Sequence, residues 1–256
     1  MKRFRLLLGS GAGLLAVLVA TAPAPASPTA APRTPDQRRA AGEAVTLRYA
    51  FDAGLADPIW DADRTLRLHP VGVMGGVLTT KARAGTVAAG FPPGCSGDEA
   101  ECPRVILESD PVPWLNPAQA DVSWGAQVLL DPRNTSDGEN VVQKGFSTQG
   151  TQYKLQVDHF GGLPSCVVAG LVVGVNRIYV AQWRRTVADG AWHRLDCVRR
   201  TTGLALFVDG ELRASTAIPA QLSVVNSDPL RLGGKGIGPW NDQFHGLLDD
   251  VYVTVG

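Results

Sequence analysis

The chain has 256 residues, with 24 Lys and Arg against 24 Asp and Glu and a formal net charge of zero. That balance argues against nucleic acid or an anionic membrane as the main partner, since both call for a basic surface. With 45% hydrophobic residues the chain is rich enough in apolar side chains to build a sizeable core.

The first segment has the layout of a secretion signal. Lys2, Arg3 and Arg5 precede an apolar run from Leu6 to Ala20, and small residues follow at Ala24-Pro25-Ala26, which predicts cleavage after residue 26. Gly9, Ser10, Gly11 and Gly13 interrupt the run, and it falls short of the ~20 apolar residues of a membrane span. A secreted, extracellular protein with no membrane partner after signal removal is expected. Those 26 residues carry three of the basic side chains and no acidic one. The remainder therefore holds 21 against 24, a net charge near −3.

Residues 27–43 are Ala, Pro, Thr and Arg with almost no large apolar side chain. They are expected to form a disordered leader, ahead of one folded domain over 44–256. From there short strands are predicted at 45–51, 64–68, 77–80, 105–108, 120–130, 140–144, 153–158, 166–168 and 177–183. The stretch 190–215 is the most informative. It predicts a strand over 192–199, a turn at Thr201-Thr202-Gly203, and a strand with Leu204, Leu206 and Val208 on one face and Ala205 and Phe207 on the other. A two-residue turn at Asp209-Gly210 then leads into a third strand through Leu212. Strands over 230–232 and 247–255 close the chain. Residues 81–104, with four Gly, three Pro and two Cys, are expected to be a long stapled loop. DPRNTSDGEN, 131–140, is expected to be a solvated hairpin. Many short strands separated by Gly, Pro, Asn and Asp, with no amphipathic helix, give an all-β, two-sheet antiparallel jelly-roll sandwich.

Four cysteines suit an oxidising compartment. Cys95 and Cys102 flank a short polar stretch and suit a loop clip. Cys166 and Cys197 lie in two predicted strands. Of the three possible pairings, 95–102 with 166–197 is favoured, and no CxxC or Cys/His spacing offers a zinc site.

Four segments carry a resemblance to a known family: LRYAFDAG, NVVQKG with YKLQVD, DGAWHRLDCVRRTTGLALFVDGELRAS, and LRLGG with FHGLLDDVYV. In this order the chain resembles the laminin G-like, or concanavalin A-like, lectin/glucanase jelly roll. The resemblance implies two packed curved sheets. Such domains include sugar-binding modules, adhesion modules and glucanases, so fold alone does not choose among them.

Glucanases of this type carry Glu-x-Asp-x-x-Glu on one strand, because retaining hydrolysis needs two carboxyl groups about 5 Å apart. Glu108-Ser109-Asp110 begins such a run, but Pro111, Val112 and Pro113 follow. With no other catalytic motif, the expected protein is a non-catalytic binding module for a glycan or cell-surface polysaccharide. The alternatives are a glycoside hydrolase or polysaccharide lyase on the glucanase scaffold, and a protein-binding or adhesion module. Exposed aromatic faces flanked by polar groups bind sugars. Trp240 with Asn241 and Asp242 is the leading candidate, and Tyr179 and Trp183 on one strand form a second. Trp114, Trp124, Trp192 and His193 are expected to pack. The resemblance also implies a structural Ca²⁺ held by Asp52 and Asp249. Strand parity with Leu247, Val251 and Val253 points Asp249 inward, as a calcium ligand or else as a buried hydrogen-bonding carboxylate, and places Asp250 on the opposite strand face.

Overall fold

The structure is a computed structural model that describes residues 32–159 and 161–256. The expected signal segment lies outside the described residues. Within the expected leader, Pro35–Ala40 forms a short helix, α1. Composition missed it because the helix buries no side chain and is held at its ends. Thr34 and Gln37 make a reciprocal capping box with Pro35 in the first turn, and Arg38 Nη2 donates to the Ala44 carbonyl at 2.7 Å.

Sixteen strands follow among the described residues. They are β1 Val45–Tyr49, β2 Ile59–Trp60, β3 Arg67–Val73, β4 Thr79–Arg83, β5 Thr86–Gly90 and β6 Arg104–Ser109. Next come β7 Val122–Leu129, β8 Gly138–Gly145, β9 Gln152–Asp158, β10 Leu163–Val172 and β11 Val175–Gln182. The last are β12 Trp192–Arg200, β13 Gly203–Val208, β14 Glu211–Ala217, β15 Leu230–Leu232 and β16 Leu247–Val255. They build two antiparallel eight-stranded sheets. The first runs β14-β13-β12-β7-β16-β5-β4, with β1 also paired to β16. The second runs β11-β10-β9-β8-β15-β6-β3-β2. This is the expected jelly-roll sandwich.

Alternation fixes which face is buried. Val45, Leu47 and Tyr49 point inward from β1, and Leu204, Leu206 and Val208 from β13, all at most 1% exposed. Trp124 of the first sheet meets Tyr153 of the second with ring centroids 5.3 Å apart, both fully buried. Trp114 is also buried. The Cys166–Cys197 bridge ties β10 of one sheet to β12 of the other, and Cys95–Cys102 clips the loop before β6, as expected.

The Trp-His to Asp-Gly stretch has a local reason. Asp209 and Gly210 adopt φ of 55° and 80°, as a tight two-residue turn between twisted strands requires. The Asp209 carboxylate accepts from the Arg194 backbone N–H at 2.8 Å and sits 2.8 Å from His193 Nδ1, while His193 Nε2 lies 3.2 Å from Asp189. His193 is thus a clamp between two carboxylates rather than a packing residue. Burial opposes its charge, but Asp209 and Asp189 outweigh it and raise its pKa. Trp192 does pack, with the Arg83 guanidinium 4.0 Å above its ring.

Two connections differ from expectation. The supposed loop 81–104 begins with a hairpin, β4–β5, turned at Ala84 and Gly85 with positive φ. Its strands, TTKAR and TVAAG, are too poor in large β-branched and aromatic residues to announce themselves. Residues 131–137 are not a hairpin loop but the crossing from β7 in the first sheet to β8 in the second. The crossing starts with a 3-10 turn at Pro132–Asn134, capped by Asp131.

Candidate functional site

The segment between β15 and β16 displays the most exposed tryptophan among the described residues. Its residues alternate between anchoring and display. Gln243 is 5% exposed and replaces a missing strand. Its Nε2 donates to the carbonyls of Val105, Gly233 and Phe244 at 2.9–3.0 Å, and its Oε1 accepts from Val105 N–H at 2.9 Å. Asn241 is 2% exposed, with its Nδ2 donating to the Gly236 carbonyl at 2.7 Å. Trp240 stands directly before these anchors at 69% exposure. Both Trp240 and Asp242 have φ of 52°, a left-handed backbone that turns their side chains away from the buried residue between them. Lys235 Nζ pairs with Asp242 Oδ1 at 3.0 Å and closes the loop on itself.

Trp240 lines a recess of 220 Å³ with Glu99, Ser136, Asp137, Asp242 and His245. An adjoining recess of 370 Å³ shares Glu99, Ser136, Asp137 and His245. The indole therefore shares this recess with three carboxylates, one of them paired with Lys235, and with the Ser136 hydroxyl, which donates to the Gly138 carbonyl; they come from the disulfide-clipped loop, the sheet crossing and the Trp240 loop. Apolar ring faces stack on C–H surfaces, and carboxylates accept hydrogen bonds from hydroxyls.

The floor is held by Glu139, which is 1% exposed. Its Oε1 accepts from Ser136 N–H at 3.0 Å and its Oε2 from His245 N–H at 2.7 Å. The carboxyl thus joins the crossing to the start of β16. Burial pushes its pKa up to about 8, against the opposing pull of these hydrogen bonds. A raised acid contributes stability that is full below its unfolded pKa, near 4.5, and is lost as pH rises through the folded value. The melting temperature is therefore expected to fall as pH rises from 5 to 8, with Glu139 supplying up to about 1.4 kcal/mol per pH unit. Glu139→Gln should flatten that slope while the contributions of His193 and His245 persist. Parallel pH profiles for variant and wild type would refute the assignment.

The other expected site residues lie elsewhere. Asn241 anchors the loop from beneath. Tyr179 and Trp183, on or beside the edge strand β11, are half-buried against the core, and the Arg213 guanidinium covers Trp183 at 4.9 Å. They share the inward face with Ala181, 2% exposed. Glu108 Oε2 pairs with Arg231 Nε at 2.5 Å, and Asp110 with Arg67 at 3.3 Å.

Asp52 and Asp249 do not fit a calcium site. Asp52 is exposed, and its Oδ1 accepts from Val87 N–H at 3.0 Å. Asp249 is 2% exposed, but its Oδ2 is 2.6 Å from Arg83 Nη1 and its Oδ1 accepts from Asp250 N–H at 2.7 Å. A guanidinium already holds the position a cation would take. Strand parity misplaced Asp249 because β16 bulges. Its register with β7 shifts between Asp249 and Tyr252, with Asp250 at φ 47°. Leu248 and Val251 face the core, and Asp249 faces outward beneath Arg83 and Trp192. Asp250 pairs with Arg48 at 3.0 Å. Among the described residues no group of three or more His, Cys, Asp or Glu is placed to hold a metal.

Sequence reasoning missed Glu99, Ser136, Asp137, Glu139 and His245. They come from three connections and the start of β8, and lie far apart in the chain. The only shared signal was density of small polar residues, which equally describes a solvated turn.

The chain shares its fold with solved binding domains. It covers 82% of itself and 91% of domain 4 of AbnA, a GH43 extracellular arabinanase from Geobacillus stearothermophilus solved in complex with arabinotriose, at 15% identity and a TM-score of 0.56. It matches the binding domain of Paraclostridial Mosquitocidal Protein 1 at 11% identity and a TM-score of 0.56, covering 82% of itself and 48% of that chain. The binding domain of botulinum neurotoxin DC in complex with SialylT gives 11% identity and a TM-score of 0.54, with 81% and 47% covered. The chain thus spans about half the length of these toxin domains. No curated protein matches it in sequence. A family model described as the concanavalin A-like lectin/glucanases superfamily matches residues 114–254, more than half of the chain, and with the two-sheet fold this places the protein in that superfamily.

Proposed function

We propose that the protein is an exported, non-catalytic carbohydrate-binding module, and that the Trp240 rim is its sugar-binding face. One observation carries this reading: an indole 69% exposed, followed directly by the buried anchor Asn241, lines a recess with three carboxylates. A large exposed aromatic ring on a rigid loop has no packing role, and pre-ordering it lowers the entropic cost of stacking. The solved arabinanase and neurotoxin domains that share the fold hold saccharides, which supports the class and not a particular sugar. Asp242 is already paired with Lys235, but Glu99 and Asp137 accept hydrogen bonds from hydroxyls and repel anions, so neutral glycans are expected over sialylated or uronic ones. Two disulfides support export.

The adhesion reading has one observation of its own. The edge strand β11 leaves Ile178 and Val180 about half exposed on its outer side. It is the alternative if glycans fail.

A glycan array with the wild-type chain and Trp240→Ala tests the proposal. Neutral oligosaccharides should bind, and the substitution should weaken binding at least about tenfold with the melting temperature nearly unchanged. Absence of any glycan binding, or equal binding by the variant, would overturn it.

A further inference from the structure

A second recess, of 630 Å³, lies on the outer face of the first sheet, within the range of small-molecule sites. Its floor is the registered pair Leu129 and Leu247. Their neighbours Val128 and Leu248 face the core at 0% exposure, so both leucines point where alternation calls for polar residues. The walls are Val77, Phe91, Pro92 and Pro103. They are firmly set. Phe91 packs edge-on against the buried Phe244 at 5.7 Å. Gly76 presses on the backbone of Arg104, where even a Cβ would meet it at 2.1 Å.

Three polar side chains in this lining, Lys81, Asn134 and His245, offer groups without a partner among the described residues. Lys81, exposed at the mouth, has no ion pair or hydrogen bond, and neither has the Asn134 amide. His245 Nδ1 lies 2.9 Å from the Pro92 carbonyl, which can only accept, so Nδ1 carries the proton. Nε2 is then a lone-pair acceptor, and it has no hydrogen-bond partner among the described residues. Burial favours this neutral form by lowering the His245 pKa. Asp131, also in the lining, is satisfied by Arg133 at 2.6 Å.

We propose that this cleft binds a small aromatic acid carrying a ring hydroxyl, with the ring against the Leu129–Leu247 floor, the carboxylate toward Lys81 and the hydroxyl donating to His245 Nε2. The apolar walls select a ring, the unpaired ammonium selects an anion, and the lone pair selects a donor. The proposal does not depend on the glycan reading.

The test is titration of the folded chain with 4-hydroxycinnamate, followed by NMR. Cinnamate, lacking the hydroxyl, and the methyl ester of 4-hydroxycinnamate, lacking the anion, are the comparators. The hydroxy acid should bind tightest, with cinnamate about fivefold weaker, the worth of one hydrogen bond. Lys81→Gln should weaken the acid about three- to tenfold and leave the ester unchanged. Val77 is 65% exposed at the rim, so Val77→Trp should fill the mouth without unfolding the chain and abolish binding of all three. Three results would overturn the proposal: no binding of any compound at several millimolar, binding that survives Val77→Trp, or an ester that binds as well as the acid with no effect of Lys81→Gln.

Discussion

Replacing Arg83 by methionine is expected to destabilise the fold by about 3–5 kcal/mol, the cost of leaving one member of a buried ion pair behind. The Asp249 side chain is 3% exposed and the Arg83 side chain 21%. Removing the guanidinium strands a carboxylate that keeps only the Asp250 N–H, and it uncovers the face of Trp192. Asp249→Asn should cost less, about 2 kcal/mol, because the amide still accepts from Arg83 and Arg83 can reach water. Neither cost should change with calcium or chelator, since the cation beside Asp249 is part of the protein. Chemical denaturation with and without calcium measures this. A calcium-dependent rise in wild-type stability that disappears in Asp249→Asn would contradict the account.

The second large effect concerns the bridge between the sheets. Cys166 and Cys197 are 31 residues apart and fully buried. In the chain-entropy view, opening that loop by replacing both with alanine should cost about 3.7 kcal/mol, before any loss of packing. The Cys95–Cys102 bridge closes only seven residues, so its removal should cost about 2.4 kcal/mol on the same basis. Denaturation midpoints of the two double variants should fall in that order. The reverse order would mean that the loop clip, and not the inter-sheet staple, carries the constraint.

The fold was readable wherever side-chain period coincides with strand register. Leu204, Leu206 and Val208, the Asp209-Gly210 turn and the exact limits of β15 and β16 are local signals, each decided within a few residues. The first failure was at β4 and β5, which are set by pairing with each other and, through β5, with β16 rather than by propensity. The second was at Asp249, where one bulge reversed the parity on which a metal assignment rested. At the site, Trp240 was visible because an indole in a Gly/Pro loop has no local packing partner. Asn241 and Asp242 beside it were indistinguishable in sequence. Only the structure separates an amide bound to Gly236 from a carboxylate that lines the recess. Glu139 and His245 could not be paired from sequence, because their contact spans 106 residues.

The most direct test of the account uses the exposure of one tryptophan. The chain has six, and among those described Trp240 is the one that is largely exposed, while Trp114 and Trp124 are buried and Trp60, Trp183 and Trp192 half-buried. Acrylamide, a neutral quencher, should therefore quench mainly Trp240 fluorescence in the free protein, and Trp240→Ala should remove most of the quenchable signal. Saturation with a neutral oligosaccharide that binds should shield the indole and reduce acrylamide quenching to nearly the variant's level. An oligosaccharide that binds while leaving quenching unchanged would show that sugar is held elsewhere and that the Trp240 rim is not the binding face.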